Sequence, residues 1–223
     1  MRYRNPLLIL VISGLIWVVM TGCVAGPAPT GAPAGDARAR LEAGKQAAEA
    51  RDFSRAIQEF QAAVQLDPNF AEAYFRLGNV YSEQGRPREA EEAYKKAIAL
   101  NPQDADSLSN LGVTYYHLGQ FDDAVKQFQA ALKLKPEDAD IHYNLGGVYV
   151  QQGRWNDALA EFERAKQLKP DLAEVYLGFG YTYKELGRKE EAIRSFERFL
   201  ELSTSAQWRA QAEEMLRQLR GTP

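Results

Sequence analysis

Four prolines stand 34 residues apart, at Pro68, Pro102, Pro136 and Pro170. An interval of this size implies one structural unit repeated along the chain. Such units must stack, because none of them buries its apolar face alone. Aligned on the prolines, the units begin at Ala37, Ala71, Ala105, Ala139 and Ala173. The eighth position is then Gly44, Gly78, Gly112, Gly146 and Gly180, and the eleventh is Ala47, Tyr81, Tyr115, Tyr149 and Tyr183. The twentieth is Ala56, Ala90, Ala124, Ala158 and Ala192, and the twenty-fourth is Phe60, Tyr94, Phe128, Phe162 and Phe196. Position 27 is Ala63, Ala97, Ala131 and Ala165, then Phe199. A glycine recurs at the fifteenth position of the last four units, as Gly85, Gly119, Gly153 and Gly187.

These columns have physical reasons. Positions 4, 7, 8 and 11 share one stripe of a first helix, and positions 20, 24 and 27 share one stripe of a second. Small residues at 8, 20 and 27 let the helices approach, and the rings at 11 and 24 fill the remaining space. Glycine at 15 permits positive φ where the first helix stops. Proline at 32 ends the second helix and fixes the turn to the next unit. The pattern resembles the tetratricopeptide repeat (TPR), a helix–turn–helix unit, over residues 37–204. The resemblance implies an all-α superhelical solenoid of five repeats. The first repeat departs from the pattern at Arg40, Ala43 and Arg51, and the fifth has Thr204 in the proline column. Thr204-Ser205-Ala206-Gln207 reads as a capping box. Trp208, Ala212, Met215, Leu216 and Leu219 follow at helical spacing, so residues 205–223 are expected to form a capping helix and tail.

The N-terminus reads as an export signal. Arg2 and Arg4 precede an apolar run from Leu7 to Met20, and Met20-Thr21-Gly22-Cys23 places small residues before the chain's one cysteine. That order is the order of a secretory signal peptide. The ending resembles the lipobox of bacterial lipoproteins, with Met20 where leucine is usual. The resemblance implies that residues 1–22 are removed and that Cys23 carries a diacylglyceryl group. Two acyl chains hold stably to a bilayer where one holds only marginally. Counted through to Ala25, the apolar run is about 19 residues, so an uncleaved anchor stays open as an alternative. Val24 to Asp36, VAGPAPTGAPAGD, is a tether that cannot bury a core and spans roughly 40 Å when extended.

Composition narrows the function classes. The 223 residues carry 27 basic and 30 acidic side chains, and without Arg2 and Arg4 the balance is 25 against 30. An acidic chain lacks the basic face that meets phosphates, so no nucleic-acid partner is expected. A lone cysteine excludes an intramolecular disulfide. Two histidines, His117 and His142, leave little material for a metal site. No nucleotide-binding loop, serine-nucleophile elbow, zinc-protease or C-x-x-C motif is present. No cofactor, metal or catalytic residue is expected.

The candidate site is therefore a groove. In stacked helix pairs the first helices line a concave face, and positions 2, 5, 6, 9, 12 and 13 point into it. The lining is expected to include Phe75, Arg76, Asn79, Asn110, Tyr116, Tyr143, Asn144 and Tyr181, with Val113, His117, Val150 and Leu177 beside them. Asparagine amides both donate to and accept from a peptide backbone, and aromatic rings add flat apolar contact. The acids at position 2, Glu72, Asp106, Asp140 and Glu174, read as helix-start charges, with an acidic rim as the alternative. Some TPR co-chaperones grip a C-terminal carboxylate with three cations and two asparagines. The matching positions here are Phe75, Asn79, Asn110, Asp140 and Asn144, so all three cations are missing and no chaperone tail is expected to bind.

The resemblance to envelope TPR lipoproteins implies a non-enzymatic, lipid-anchored scaffold that holds a protein or peptide. Assembly of a pilus, secretin or cell-wall complex is the kind of task implied. Val24 stands where an inner-membrane retention signal would carry Asp, which favours the outer membrane, facing the periplasm. A regulatory or sensor subunit of an enzyme complex, held by an uncleaved anchor, is the alternative. The capped end favours a monomer or small oligomer.

Overall fold

The computed structural model describes residues 34–221, so the expected signal peptide, Cys23 and most of the tether lie outside the described residues. The described residues are all-α and form eleven helices with no strand. The first helices of the repeats are α1 (Ala34–Glu49), α3 (Ala71–Glu83), α5 (Ala105–His117), α7 (Ala139–Gln151) and α9 (Ala173–Glu185). The second helices are α2 (Phe53–Leu66), α4 (Pro87–Leu100), α6 (Phe121–Leu134), α8 (Trp155–Leu168) and α10 (Lys189–Leu202), and α11 (Ala206–Arg220) follows. The chain divides into two compact units, one ending at Thr114 and the other beginning at Tyr115.

The residue types at the turns account for the helix ends. Gly85, Gly119, Gly153 and Gly187 have φ between 67 and 74°. At the first of these turns the Arg86 N–H reaches the Tyr81 carbonyl at 2.9 Å and the Gly85 N–H reaches Ser82 at 3.0 Å. This double bond pattern satisfies carbonyls that the helix end would otherwise orphan. Arg154 to Tyr149 (2.9 Å) and Arg188 to Tyr183 (2.8 Å) repeat it. In the first repeat Arg51 takes the same left-handed conformation, φ 59°, without the freedom of glycine. The second helices end one residue before the residue that precedes each proline. Asp67 and Asn101, which precede Pro68 and Pro102, have ψ of 95 and 87°, as a residue before proline requires.

Inside the unit ending at Thr114, Phe60 and Tyr94 are fully enclosed together with Ala56, Ala63, Ala90 and Ala97. Inside the unit beginning at Tyr115, Phe162, Phe196 and Phe199 are enclosed with Ala158, Ala165 and Ala192. The glycine at position 8 makes room for the ring at position 24 of its own repeat. A Cβ on Gly78 would stand 2.6 Å from the Tyr94 ring, and on Gly146 or Gly180 it would stand 2.6 Å from Phe162 or Phe196.

The end of the second unit differs from the capping-box expectation. The N-cap of α11 is Ser205 rather than Thr204, and its side chain makes no cap bond. What α11 does close is the end of the preceding helix. The Arg209 guanidinium donates to the Ser203 carbonyl at 2.9 Å and also to the Leu200 carbonyl, covering the C-terminal end of α10. A cation at a helix C-terminus is favoured by the dipole as well as by the open carbonyls. Ala212 and Leu216 bury against the unit, while Trp208, Met215 and Leu219 are half-buried.

Candidate functional site

In the first unit, α3 and α5 bring Phe75, Arg76, Asn79 and Asn110 to the first-helix face, all half-buried. Asn79 and Asn110 are engaged with each other. The Asn79 Oδ1 accepts from the Tyr94 hydroxyl at 2.8 Å and from Asn110 Nδ2 at 3.0 Å. Each amide therefore keeps part of its capacity, a donor group on Asn79 and an acceptor on Asn110. Burial pushes the Tyr94 phenol up, so it stays a donor to Asn79. The Phe75 ring lies 6.2 Å from the Tyr94 ring, and the Arg76 guanidinium sits 5.6 Å from the Phe75 centroid. Arg76 also approaches Glu72 at 3.5 Å, yet its buried Nε has no hydrogen-bond partner. Glu72 takes Lys45 at 2.8 Å, and that hydrogen bond holds its carboxyl below the usual carboxylate range.

In the second unit the face is differently made. Asn144 is half-buried, and its side-chain amide makes no hydrogen bond among the described residues. On the same helix, position 13 is Gln151, whose buried Nε2 also lacks a partner. Tyr116 is half-buried, with its ring 5.6 Å from Phe121 and 5.7 Å from His117, and burial pushes its phenol up to about 12. Tyr143 and Tyr181 depart from the expectation of an open aromatic lining, since each keeps only 8% of its surface exposed. Their rings lie against the rings at position 24, Tyr143 at 5.9 Å from Phe162 and Tyr181 edge-on at 5.2 Å from Phe196. A long aromatic side chain on a helix lies back over the neighbouring turn, and here the turn adjoins a large buried ring. Val150 and Leu177 are buried as well.

The acids at position 2 all occupy the first turn of a helix. Glu72 and Asp140 are further neutralised by Lys45 and by Lys169, the latter at 2.6 Å. His142 is paired to Glu161 at 2.6 Å through Nδ1, and its Nε2 faces the Pro136 carbonyl at 3.1 Å. Among the described residues no group of three or more His, Cys, Asp or Glu is placed to hold a metal ion.

One column escaped the sequence reading. Position 16 is Arg86, Arg154 and Arg188 in three repeats, and each guanidinium lies over the tyrosine at position 11, at 4.6, 4.1 and 4.5 Å. The same arginines bind the acid at position 19, Glu89, Asp157 and Glu191, at 2.9, 2.7 and 2.7 Å. The 34-residue recurrence of arginine just after the turn glycine was the available signal.

Helix–turn–helix pairs on one interval, with position-24 rings seated over glycine and polar first-helix faces, define a helical-repeat scaffold for binding proteins. The chain belongs to the tetratricopeptide-repeat proteins, in the family described as cilia and flagella-associated protein 70 C-terminal domain, which matches residues 28–175. A tetratricopeptide-repeat family also matches residues 145–217. Among solved structures, MamA is 30% identical, covering 71% of this chain and 92% of MamA with a TM-score of 0.68. YrrB, described as a TPR protein with an unusual peptide-binding site, is 23% identical over 80% of this chain and 92% of its own, with a TM-score of 0.68. PilF of Pseudomonas aeruginosa is 22% identical over 84% of both chains, with a TM-score of 0.72. The latter two likenesses concern the fold. No curated protein matches the sequence.

Proposed function

We propose that the chain is a lipid-anchored TPR scaffold of the bacterial cell envelope that holds a protein partner on its first-helix faces. It is read as non-enzymatic, as TPR proteins typically are. The observation that carries the binding reading is the uncommitted polar capacity on those faces. In one unit Arg76 Nε, and in the other Gln151 Nε2, are buried donors without partners, and Asn144 is uncommitted. A buried donor left unmade costs about 1–3 kcal/mol, which a carbonyl from an incoming peptide would recover. The position-24 rings beneath supply a rigid floor. The YrrB likeness supports a peptide as the partner's form. The anchor rests on the Met20-Thr21-Gly22-Cys23 pattern, and the outer membrane on Val24. Anchor, tether and repeats together would raise a partner's local concentration at one membrane surface.

Two measurements test this. A photo-crosslinker replacing Asn144, in living cells, is expected to capture one envelope protein that the same probe at exposed Ala160 on α8 does not. Equal capture at both positions, or at neither, defeats the binding reading. Cys23→Ala is expected to release the protein from membranes on fractionation, and unchanged attachment defeats the lipoprotein reading.

A further inference from the structure

The second unit holds another feature, a cleft of about 240 Å³ between α8 and α10. Its floor is Tyr176, Phe179 and Tyr183 of α9, and its walls carry Lys166, Arg194 and Arg198 together with Glu163 and Glu191. Phe179 and Tyr183 are stacked, 5.7 Å apart with planes at 12°, and Tyr176 lies 6.5 Å from Phe179. Lys166 and Arg198 cover two of these rings, at 5.5 Å from Phe179 and 5.8 Å from Tyr176.

The corresponding position is bridged in other repeats. The hydroxyls of Tyr81 and Tyr149 take hydrogen bonds from Gln61 and Gln129 of the preceding second helix, at 3.0 and 3.3 Å. In α8 that glutamine column holds Glu163. Its carboxylate turns to Lys166 at 2.7 Å, and the Tyr183 hydroxyl makes no hydrogen bond among the described residues. The substitution leaves the cleft unbridged. The cations divide in the same way. Lys166 is spent on Glu163 and Arg198 on Glu201 at 2.6 Å, while Arg194 is exposed and makes no ion pair among the described residues, although its charge reaches Glu191, which Arg188 already holds at 2.7 Å.

We propose that this cleft receives an aromatic side chain of a partner protein, carried in an acidic segment whose carboxylates meet Arg194. The volume lies below the 300–1,000 Å³ usual for whole small ligands and suits one ring. Phe179 is buried while Tyr176 and Tyr183 are half-buried, so an incoming ring would pack on the two tyrosines. An unpaired guanidinium favours a carboxylate, in a paired geometry that selects against basic partners. The cleft lies on α8, α9 and α10 and uses positions 4, 7 and 11 of α9, a different stripe from the groove positions of the first helices.

The test uses the full chain and fluorescence anisotropy of a labelled Asp-Glu-Tyr-Asp-Glu peptide. Binding is expected, weakened about tenfold by Arg194→Glu and lost when the peptide's tyrosine becomes alanine. Asn144→Arg, on the first-helix face, is expected to leave this binding unchanged, so failure of the groove reading is separable from failure here. Arg194→Gln serves if the charge reversal lowers the melting temperature, with a smaller loss in the same direction. The proposal is overturned if the tyrosine and alanine peptides bind alike, or if both Arg194 variants bind as the native chain does.

Discussion

At the scale of single residues, Arg51 carries a conformational cost that its column mates avoid. It holds φ 59° where the other repeats place glycine, relieved in part by its position 5.5 Å from the Phe53 ring. Arg51→Gly is expected to raise stability by about 1 kcal/mol, read by denaturant unfolding, since the left-handed penalty is about 1–2 kcal/mol and glycine returns some as unfolded-state entropy. Gly146→Ala is expected to act oppositely. The added Cβ would meet the enclosed Phe162 ring at 2.6 Å, and overpacking of this kind costs about 1–3 kcal/mol. A melting temperature that does not fall would remove the ring-seating role given to position 8. His142 supplies a pH signature. Burial disfavours its charge, but the Glu161 and Pro136 acceptors outweigh burial and the pKa is raised. A raised histidine stabilises fully below its unfolded pKa of about 6.5 and loses that contribution as pH rises through the higher folded pKa. The melting temperature of the native chain is therefore expected to fall across that window relative to His142→Gln, and parallel profiles would refute the pairing.

At the scale of the helices, the repeat's boundaries were legible because they rest on local chemistry. Glycine at 15 permits a positive φ and proline at 32 fixes its own φ, and each effect can be read from a single residue. The junction of α10 and α11 was not legible in the same way. Thr204 and Gln207 satisfy the letter pattern of a capping box, yet what the structure closes there is the end of α10, whose Leu200 and Ser203 carbonyls are met by Arg209, which the fold alone brings back over α10. Arg209→Ala is expected to loosen α11, seen as faster amide exchange from Ala206 to Arg220 with α7 unchanged. The candidate site divides along the same line. Asn79, Asn110 and Asn144 could be placed on the first-helix face from spacing. The burial of Tyr143 and Tyr181 could not, because it depends on where Phe162 and Phe196 lie across the hairpin. The arginine column at 16 was legible in principle, since it keeps the interval, but Gln120 and Asp52 interrupt it.

At the scale of the whole chain, repeat proteins owe their stability to intrinsic repeat terms and neighbour interfaces, so ends and middles differ. Within the first unit α1 packs on α2 and α3, whereas within the second unit α7 packs on α6, α8 and α9, and α11 packs on α10. Exchange is accordingly expected to be faster in α1 and α11 than in α7, with α1 further weakened by the strained Arg51 turn. Uniform protection along the chain would show that the ends are as well held as the middle.

At Phe60, Tyr94, Phe162 and Phe196 the ring of position 24 sits in a socket made by the glycine of its own repeat, where an added Cβ would meet it at 2.5 to 2.6 Å. A Cβ on Gly178 of the next repeat would also meet Phe162, at 2.8 Å, so the tighter fit closes within the module. Modularity of that kind permits growth by copying. A tandem duplication of residues 139–172 would bring its own socket and plug together, and the lengthened chain should fold without a redesigned interior. The number of modules is then a heritable setting of reach, adjustable by recombination in steps of one repeat.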